Sequence, residues 1–370
     1  MKHVGLITIH NAYNYGAVLQ ATATQQVLES MNCRCSIIDY DCTPFLRDRK
    51  RLVVPAGISD LFKDARGLVH GRSLKRRADA FTRFMQAHYH LAKPYFLDAL
   101  QPQALDAYDL LVTGSDQTFC LHLKSQPETM RPYFLENVRV PKISYASSMG
   151  EKTDLLTDRE RRWMGDRLKE YACLSVREEK SADLAEELTG RRPQVVLDPT
   201  LLLTREEWSR FACPADTGGK PYILFFSVLS APWVIRYVQE ASRRTGMPVI
   251  APHLKNRYEL TANFRRMDDS GPDQFLSLVR NASLVLTTSF HGTAFALNFR
   301  VPFVSMIVGS GARISSLLNL TGLSVRAVRE EGAAFDPAFL HCDWGEAEAA
   351  LHDARRRSLE YLRSALDTNG

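Results

Sequence analysis

No apolar run in this 370-residue sequence reaches the roughly 18–20 residues that a membrane-spanning helix needs. The longest candidate, 284–308, is broken by Ser289, His291, Asn298 and Arg300. The first ten residues, MKHVGLITIH, have neither the long apolar core nor the small-residue cleavage site of a secretory signal, so a cytoplasmic protein is expected. They read instead as a first strand. Cysteine is sparse and odd in number, with seven residues at positions 33, 35, 42, 120, 173, 213 and 342. Cys33-Arg34-Cys35 has neither zinc-finger nor redox spacing, so free thiols are expected and no metal site is. A G-x-G-x-x-G fingerprint is missing, which removes the usual argument for dinucleotide binding. Excess charge is missing too: 47 Lys+Arg against 42 Asp+Glu leaves +5, too little for a dedicated nucleic-acid binder.

What remains is ordinary for a soluble globular chain, with 45% hydrophobic and 24% charged residues. A length of 370 residues at about 150 per domain implies two domains. Arginine and lysine do cluster, at 47–51, 72–77, 159–162 and 355–357. Two readings of these runs are open: solvated helix faces, or a surface that approaches anionic lipid or an anionic glycan carrier.

Apolar runs alternate with helical spacing in the βαβ manner. In the first half, strands are expected at 4–9, 35–40, 108–113, 143–147, 174–177 and 195–198. Helices are expected there at 17–30, 158–171 and 179–189, with polar helices and connectors over 44–105. After Gly218-Gly219-Lys220-Pro221, strands are expected at 222–228, 248–251, 284–288 and 301–307. Helices are expected at 232–244, 273–281 and from 293, with a long amphipathic helix over 344–366. This gives an N-terminal α/β domain over 1–200, a C-terminal one over 215–345, and a last helix, 346–370, crossing back to the first domain. The fold class is α/β, with two Rossmann-like domains facing a cleft.

In open α/β sheets ligands bind beyond the carboxyl ends of the strands, so the polar residues after each strand are the candidates. The first such junction contains Asn11, Asn14, Tyr15 and Gly16, where Asn and Gly permit a tight turn and a helix N-terminus offers N–H groups to an anion. An ordinary capped turn fits it equally. The second is Gly114-Ser115-Asp116-Gln117, where Asp116 either orients or deprotonates a sugar hydroxyl or caps the next segment. The third contains Arg177 and Glu178: a two-pronged cation for phosphate or carboxylate, or a surface ion pair at a helix start. The fourth, Thr288-Ser289-Phe290-His291-Gly292-Thr293, brings hydroxyls, an imidazole and a glycine to a helix N-terminus, a combination suited to phosphate capture and proton transfer.

Taken in order, six segments resemble the polysaccharide pyruvyl transferase family. They are Tyr13–Gln20, Thr113–Gln117, Ile143–Gly150, Leu174–Glu178, Val195–Leu202 and Thr288–Phe295, which run nearly end to end. The resemblance implies a fold like the two-domain GT-B glycosyltransferases. It also implies transfer of pyruvate from phosphoenolpyruvate, as substrate and with no further cofactor, onto two hydroxyls of a saccharide. In that chemistry His291 would be the acid or would assist phosphate departure, Arg177 would hold the donor carboxylate or phosphate, and Asp116 would position or deprotonate the acceptor. Ser147, within the third of those segments, joins the binding set. Some members of the family carry arginine two positions before the histidine, where this chain has Ser289. Arg313, among the glycines after strand 301–307, is the expected substitute, followed by His253 and Lys255. The competing function is a nucleotide-sugar glycosyltransferase on the same scaffold. The acceptor's identity, its linkage to lipid and the oligomeric state stay open at this level.

Overall fold

A computed structural model describes residues 1–41, 64–93, 96–97, 100–123, 127–229, 231–252, 264–329 and 331–368. Among these, the residues within Met1–Arg51, Met85–Leu203 and Asp353–Gly370 form one compact unit, and those within Leu52–Phe84 and Thr204–His352 form a second.

Unit 1 contains β1 (Lys2–Ile7), α1 (Tyr15–Ser30), β2 (Cys33–Ile37), β3 (Tyr40–Asp41) and β4 (Phe96–Leu97). It continues through β5 (Leu110–Thr113), β6 (Lys142–Ser144), α3 (Asp158–Lys169), β7 (Ser175–Val176), α4 (Glu179–Thr189) and β8 (Gln194–Val195). The helix α2 (Asp64–His88) precedes β4, and the boundary between units falls inside it. The main sheet is parallel, in the order β2-β1-β5-β6. The inner strand β5 is wholly buried, as a parallel sheet covered on both faces requires, whereas β2 at the edge exposes Arg34. Register aligns Leu6 with Val112 and Ile37, and Thr113 with Ile7 and Ser144, so the strands leave the sheet along one edge.

Helix α1 is buried on nearly every side, although its sequence includes Gln20, Thr22, Thr24 and Gln25. Most of those polar groups are satisfied internally, with Gln20 Oε1 an exception. Thr22 and Thr24 donate to the carbonyls of Val18 (3.0 Å) and Gln20 (2.8 Å), and Gln25 exchanges hydrogen bonds with His88 O and His90 N. Burial of a polar helix is tolerable on those terms.

Unit 2 contains α5 (Arg205–Ser209), β9 (Ile223–Phe226), α6 (Pro232–Thr245), β10 (Val249–Ala251), β11 (Phe264–Arg266) and α7 (Pro272–Arg280). Then come β12 (Leu284–Thr287), α8 (Phe290–Phe299), β13 (Phe303–Met306), α9 (Ala312–Leu320) and β14 (Ala327–Val328). Its sheet is also parallel, ordered β11-β10-β9-β12-β13-β14. Phe226, Thr287 and Ser305 stand side by side at the carboxyl edge. The last helix, α10 (Gly345–Thr368), begins in unit 2 and ends in unit 1. Within unit 1 it is tied down by Tyr361 donating to Ser144 O (2.9 Å), Arg355 to Leu201 O (2.8 Å) and Leu197 N to Ser358 Oγ (3.0 Å).

Candidate active site

Each sheet has a topological switch point, where the chain leaves one side of a central strand and resumes on the other. In unit 1 the central strand is β1, with β2 on one side and β5 on the other; in unit 2 it is β9, flanked by β10 and β12. Asp116 follows β5 and His291 follows β12, so both candidates stand at switch points.

At the unit 1 edge the chain is held tightly. Gly114 adopts φ +117°, and a Cβ there would lie 2.1 Å from the Tyr145 carbonyl oxygen. Asp116 takes φ +65°, a strained setting for a non-glycine residue that recurs at functional positions. Ser148 N donates to Asp116 O (2.8 Å), and Ser147 Oγ donates to Thr113 O (3.0 Å). Ser115 Oγ donates to Ala146 O (3.1 Å). Ser115 and Ser147 are fully buried and lace the strand ends together, while Gln117 is half-buried beside them.

Arg177 is the centre of this edge. Its side chain is 2% exposed, and Nη1 lies 2.5 Å from Asp198 Oδ2 while Nη2 lies 3.3 Å from Asp116 Oδ1. Glu178 Oε2 is 3.7 Å from Nε, and its Oε1 accepts from Ser148 Oγ at 2.6 Å and from Ser181 Oγ. Burial alone would lower the guanidinium's pKa, but Asp198, Asp116 and Glu178 hold it above its ordinary value. The cation expected to grip a donor anion is instead occupied by carboxylates. One positive charge meets three carboxyl groups, which makes the setting acidic. Asp116, 16% exposed, is the accessible member; Asp198, 0% exposed, is the anchor. Asp198 Oδ1 also accepts from Thr200 N (3.0 Å) and Thr200 Oγ1 (2.7 Å). Sequence reasoning passed over Asp198, although an Asp-Pro-Thr after a strand is a capping signal.

The β1–α1 turn is conventional by comparison. Asn14 caps α1, its side chain accepting from Ala17 N at 3.2 Å; Tyr15 and Gly16 are buried in the first turn, and Asn11 is half-buried.

At the unit 2 edge, Thr288 Oγ1 accepts from Val228 N (3.1 Å) and Leu229 N (3.2 Å), tying the exits of β12 and β9 together. Ser289 is the N-cap of α8 but its side chain makes no cap hydrogen bond. The first-turn N–H groups have no acceptor within the helix, and a helix N-terminus favours an anion. His291 occupies this turn, largely buried, its ring edge-on to Phe290 with centroids 5.3 Å apart. Gly292 is required by packing, since a Cβ would stand 2.2 Å from Thr287 Oγ1. Thr293 is buried, donating to Ser289 O (3.1 Å) and sharing a bond with Ser305 Oγ (2.7 Å), so its hydroxyl serves the helix start. Arg313 lies in the first turn of α9, after β13, which neighbours β12. His253 and Lys255 lie outside the described residues.

A family model described as polysaccharide pyruvyl transferase matches residues 14–310, a span that contains Asp116, Arg177, Asp198 and His291. The chain belongs to the polysaccharide pyruvyl transferase family. It is therefore a transferase by family. No curated protein is matched by the sequence. Among solved structures, a Staphylococcus aureus MnaA–UDP co-structure aligns at TM-score 0.52 and 11% identity, over 98% of this chain and 91% of that one. A UDP-GlcNAc 2-epimerase from Methanocaldococcus jannaschii, in complex with UDP-GlcNAc and UDP, aligns at 0.51 and 12% over 86% and 87%. A putative UDP-N-acetylglucosamine 2-epimerase from Listeria monocytogenes aligns at 0.50 and 10% over 98% and 90%. At such identities the likeness shows the fold alone: α/β with parallel sheets, of the GT-B type. Among the described residues no helix is long and apolar enough to cross a membrane.

Proposed function

We propose that this transferase moves the pyruvyl group of phosphoenolpyruvate onto a saccharide and closes a cyclic ketal on two of its hydroxyls. The observation that carries the reading is the chemical contrast between the two switch points. Unit 2 offers an imidazole and a helix N-terminus whose N-cap, Ser289, makes no side-chain cap bond, a setting that suits a compact trianion. Unit 1 offers a partly exposed carboxylate in an acidic setting, which suits a neutral polyol and repels the donor.

In this reading His291 delivers a proton to the methylene carbon or to the departing phosphate, and Arg313 adds the cation that Ser289 does not supply. Asp116 orients and deprotonates an acceptor hydroxyl. Arg177 positions Asp116, and Asp198 holds Arg177. The reaction needs no cofactor, and a donor made inside the cell sets its place in the cytoplasm. Approach to a lipid-linked acceptor through the arginine runs has less to draw on. Arg356 pairs with Asp353 and Glu360, Arg357 with Asp353, and Arg161 with Glu187.

The test is thermal unfolding with phosphoenolpyruvate, with UDP-GlcNAc and with buffer alone. A ligand that binds only the folded state at about 100 times its Kd stabilises it by about 2.7 kcal/mol. Phosphoenolpyruvate should raise the midpoint, and phosphate should be released when p-nitrophenyl hexosides are added. Stabilisation by UDP-GlcNAc without any by phosphoenolpyruvate would transfer the assignment to a nucleotide-sugar glycosyltransferase.

A further inference from the structure

His10 and Asp39 form a pair that the scheme above does not use. His10 leaves β1 and Asp39 leaves β2, so both stand on the edge that carries Asp116, on the other side of β1 from it. The His10 side chain is 2% exposed, with Nδ1 3.1 Å from Thr8 O and Nε2 3.1 Å from Asp39 Oδ1. A carbonyl oxygen only accepts, so the contact with Thr8 O assigns a proton to Nδ1 and turns Nε2 toward the Asp39 carboxyl group. One oxygen of Asp39 is thereby fixed. The side chain is 19% exposed, and no hydrogen bond among the described residues engages its other oxygen.

Such a carboxylate, clamped on one side and open on the other, is arranged to receive a hydroxyl. Resting on the pyruvyl transfer reading, we infer that Asp39 binds the second hydroxyl of the acceptor, with His10 as its positioning residue. The reaction requires two hydroxyls to be held. The enol carbon–oxygen bond to phosphate breaks and two new carbon–oxygen bonds form. One hydroxyl proton ends on the methyl carbon and the other on phosphate, so charge and atoms balance without any further reactant. Strands β2 and β5 flank β1 at about 4.8 Å each, which puts their exits about 10 Å apart. Asp116 takes one hydroxyl and Asp39 the other, so the pair selects for an acceptor diol.

The experiment measures phosphate release from phosphoenolpyruvate on the full chain, with a panel of p-nitrophenyl hexosides as acceptors. Asp39→Asn should lower kcat/KM for the acceptor at least tenfold while the KM for phosphoenolpyruvate stays within twofold. Asp39→Glu should restore part of the loss. His10→Gln should impair the wild type but cost nothing further in an Asp39→Asn background, because it acts through Asp39; a structural role would make the two losses add. Circular dichroism confirms that each variant is folded. An Asp39→Asn enzyme within threefold of wild type, or additive losses, would overturn this inference and leave the pyruvyl transfer reading standing. A wild-type chain that releases no phosphate with any hexoside would overturn both.

Discussion

Replacing Arg177 with methionine tests the central reinterpretation of this site. The substitution keeps an apolar stem and removes the guanidinium that lies 2.5 Å from Asp198 Oδ2 and 3.3 Å from Asp116 Oδ1. Asp198 is then left as a buried carboxylate without its guanidinium, although the Thr200 N–H and hydroxyl and the Ser115 hydroxyl are still among its partners. Removing one partner of a buried ion pair costs about 3–5 kcal/mol, because the other charge stays uncompensated. For a unit of 150–250 residues this lowers the melting midpoint on the order of 10 °C. Turnover should fall by about 10²–10⁴-fold, the contribution of a positioned acid or base, since Asp116 loses its anchor. Arg177→Lys should recover part of the stability but little activity, since an ammonium cannot bridge two carboxylates as a fork does. The guanidinium's pKa is raised, so its contribution is complete below its ordinary value and vanishes only as pH rises through the folded value. The Arg177 effect should therefore be flat from pH 6 to 9. A variant that melts like the wild type, keeps kcat and shows only a higher KM for phosphoenolpyruvate would return Arg177 to the donor and refute the reasoning.

Three further expectations follow from particular contacts. His291→Ala should reduce phosphate release by about 10²–10⁴-fold with an unchanged melting midpoint; near-full activity would remove it from the chemistry. Gly114→Ala sets a Cβ 2.1 Å from Tyr145 O at a φ of +117°, so chemical denaturation should show a loss of about 3 kcal/mol or more, and a neutral result would contradict the geometry. Burial pushes the Glu160 carboxyl up, but Thr157 N–H and hydroxyl and His122 outweigh it and hold its pKa below the usual range. The stability it adds is present above the unfolded value and is lost as pH falls through the folded one. Glu160→Gln should therefore weaken the protein to urea at pH 7, and the difference from the wild type should shrink as pH falls through the folded value.

Much of the scaffold was legible because its strands are short apolar runs closed by turn residues. Helices expected at 179–189 and 232–244 appear as Glu179–Thr189 and Pro232–Thr245, each ended by a left-handed glycine, Gly190 or Gly246. The segments that escaped carry weak periodicity. Phe264–Arg266 is a strand spelled Phe-Arg-Arg, Ala327–Val328 has two residues, and α9 follows a Gly-Ser-Gly run that reads as a loop. The site itself divides in the same way. Asp116, Arg177 and His291 could be found because each directly follows a strand. Arg177's partners could not, because Asp198 is 21 residues away and Asp116 61, and only the alignment of β5, β6, β7 and β8 brings them together.

That alignment changes what the charge pattern means. An arginine at a strand end reads, in one dimension, as an anion site. Surrounded by Asp198, Asp116 and Glu178, it becomes the counter-ion of an acidic edge. Two like charges 4 Å apart near a protein surface repel by about 4 kcal/mol, so a trianion entering that edge would meet a barrier that a polyol would not. The His10–Asp39 pair adds another carboxyl group to the same edge, at the exits of β1 and β2. The unit 2 edge presents the opposite character, with hydroxyls, an imidazole and a helix start that Ser289 does not cap through its side chain. Two parallel sheets built on the same plan thus end in chemically opposed edges, and that opposition, rather than the net charge of +5, separates the donor from the acceptor in the reaction proposed.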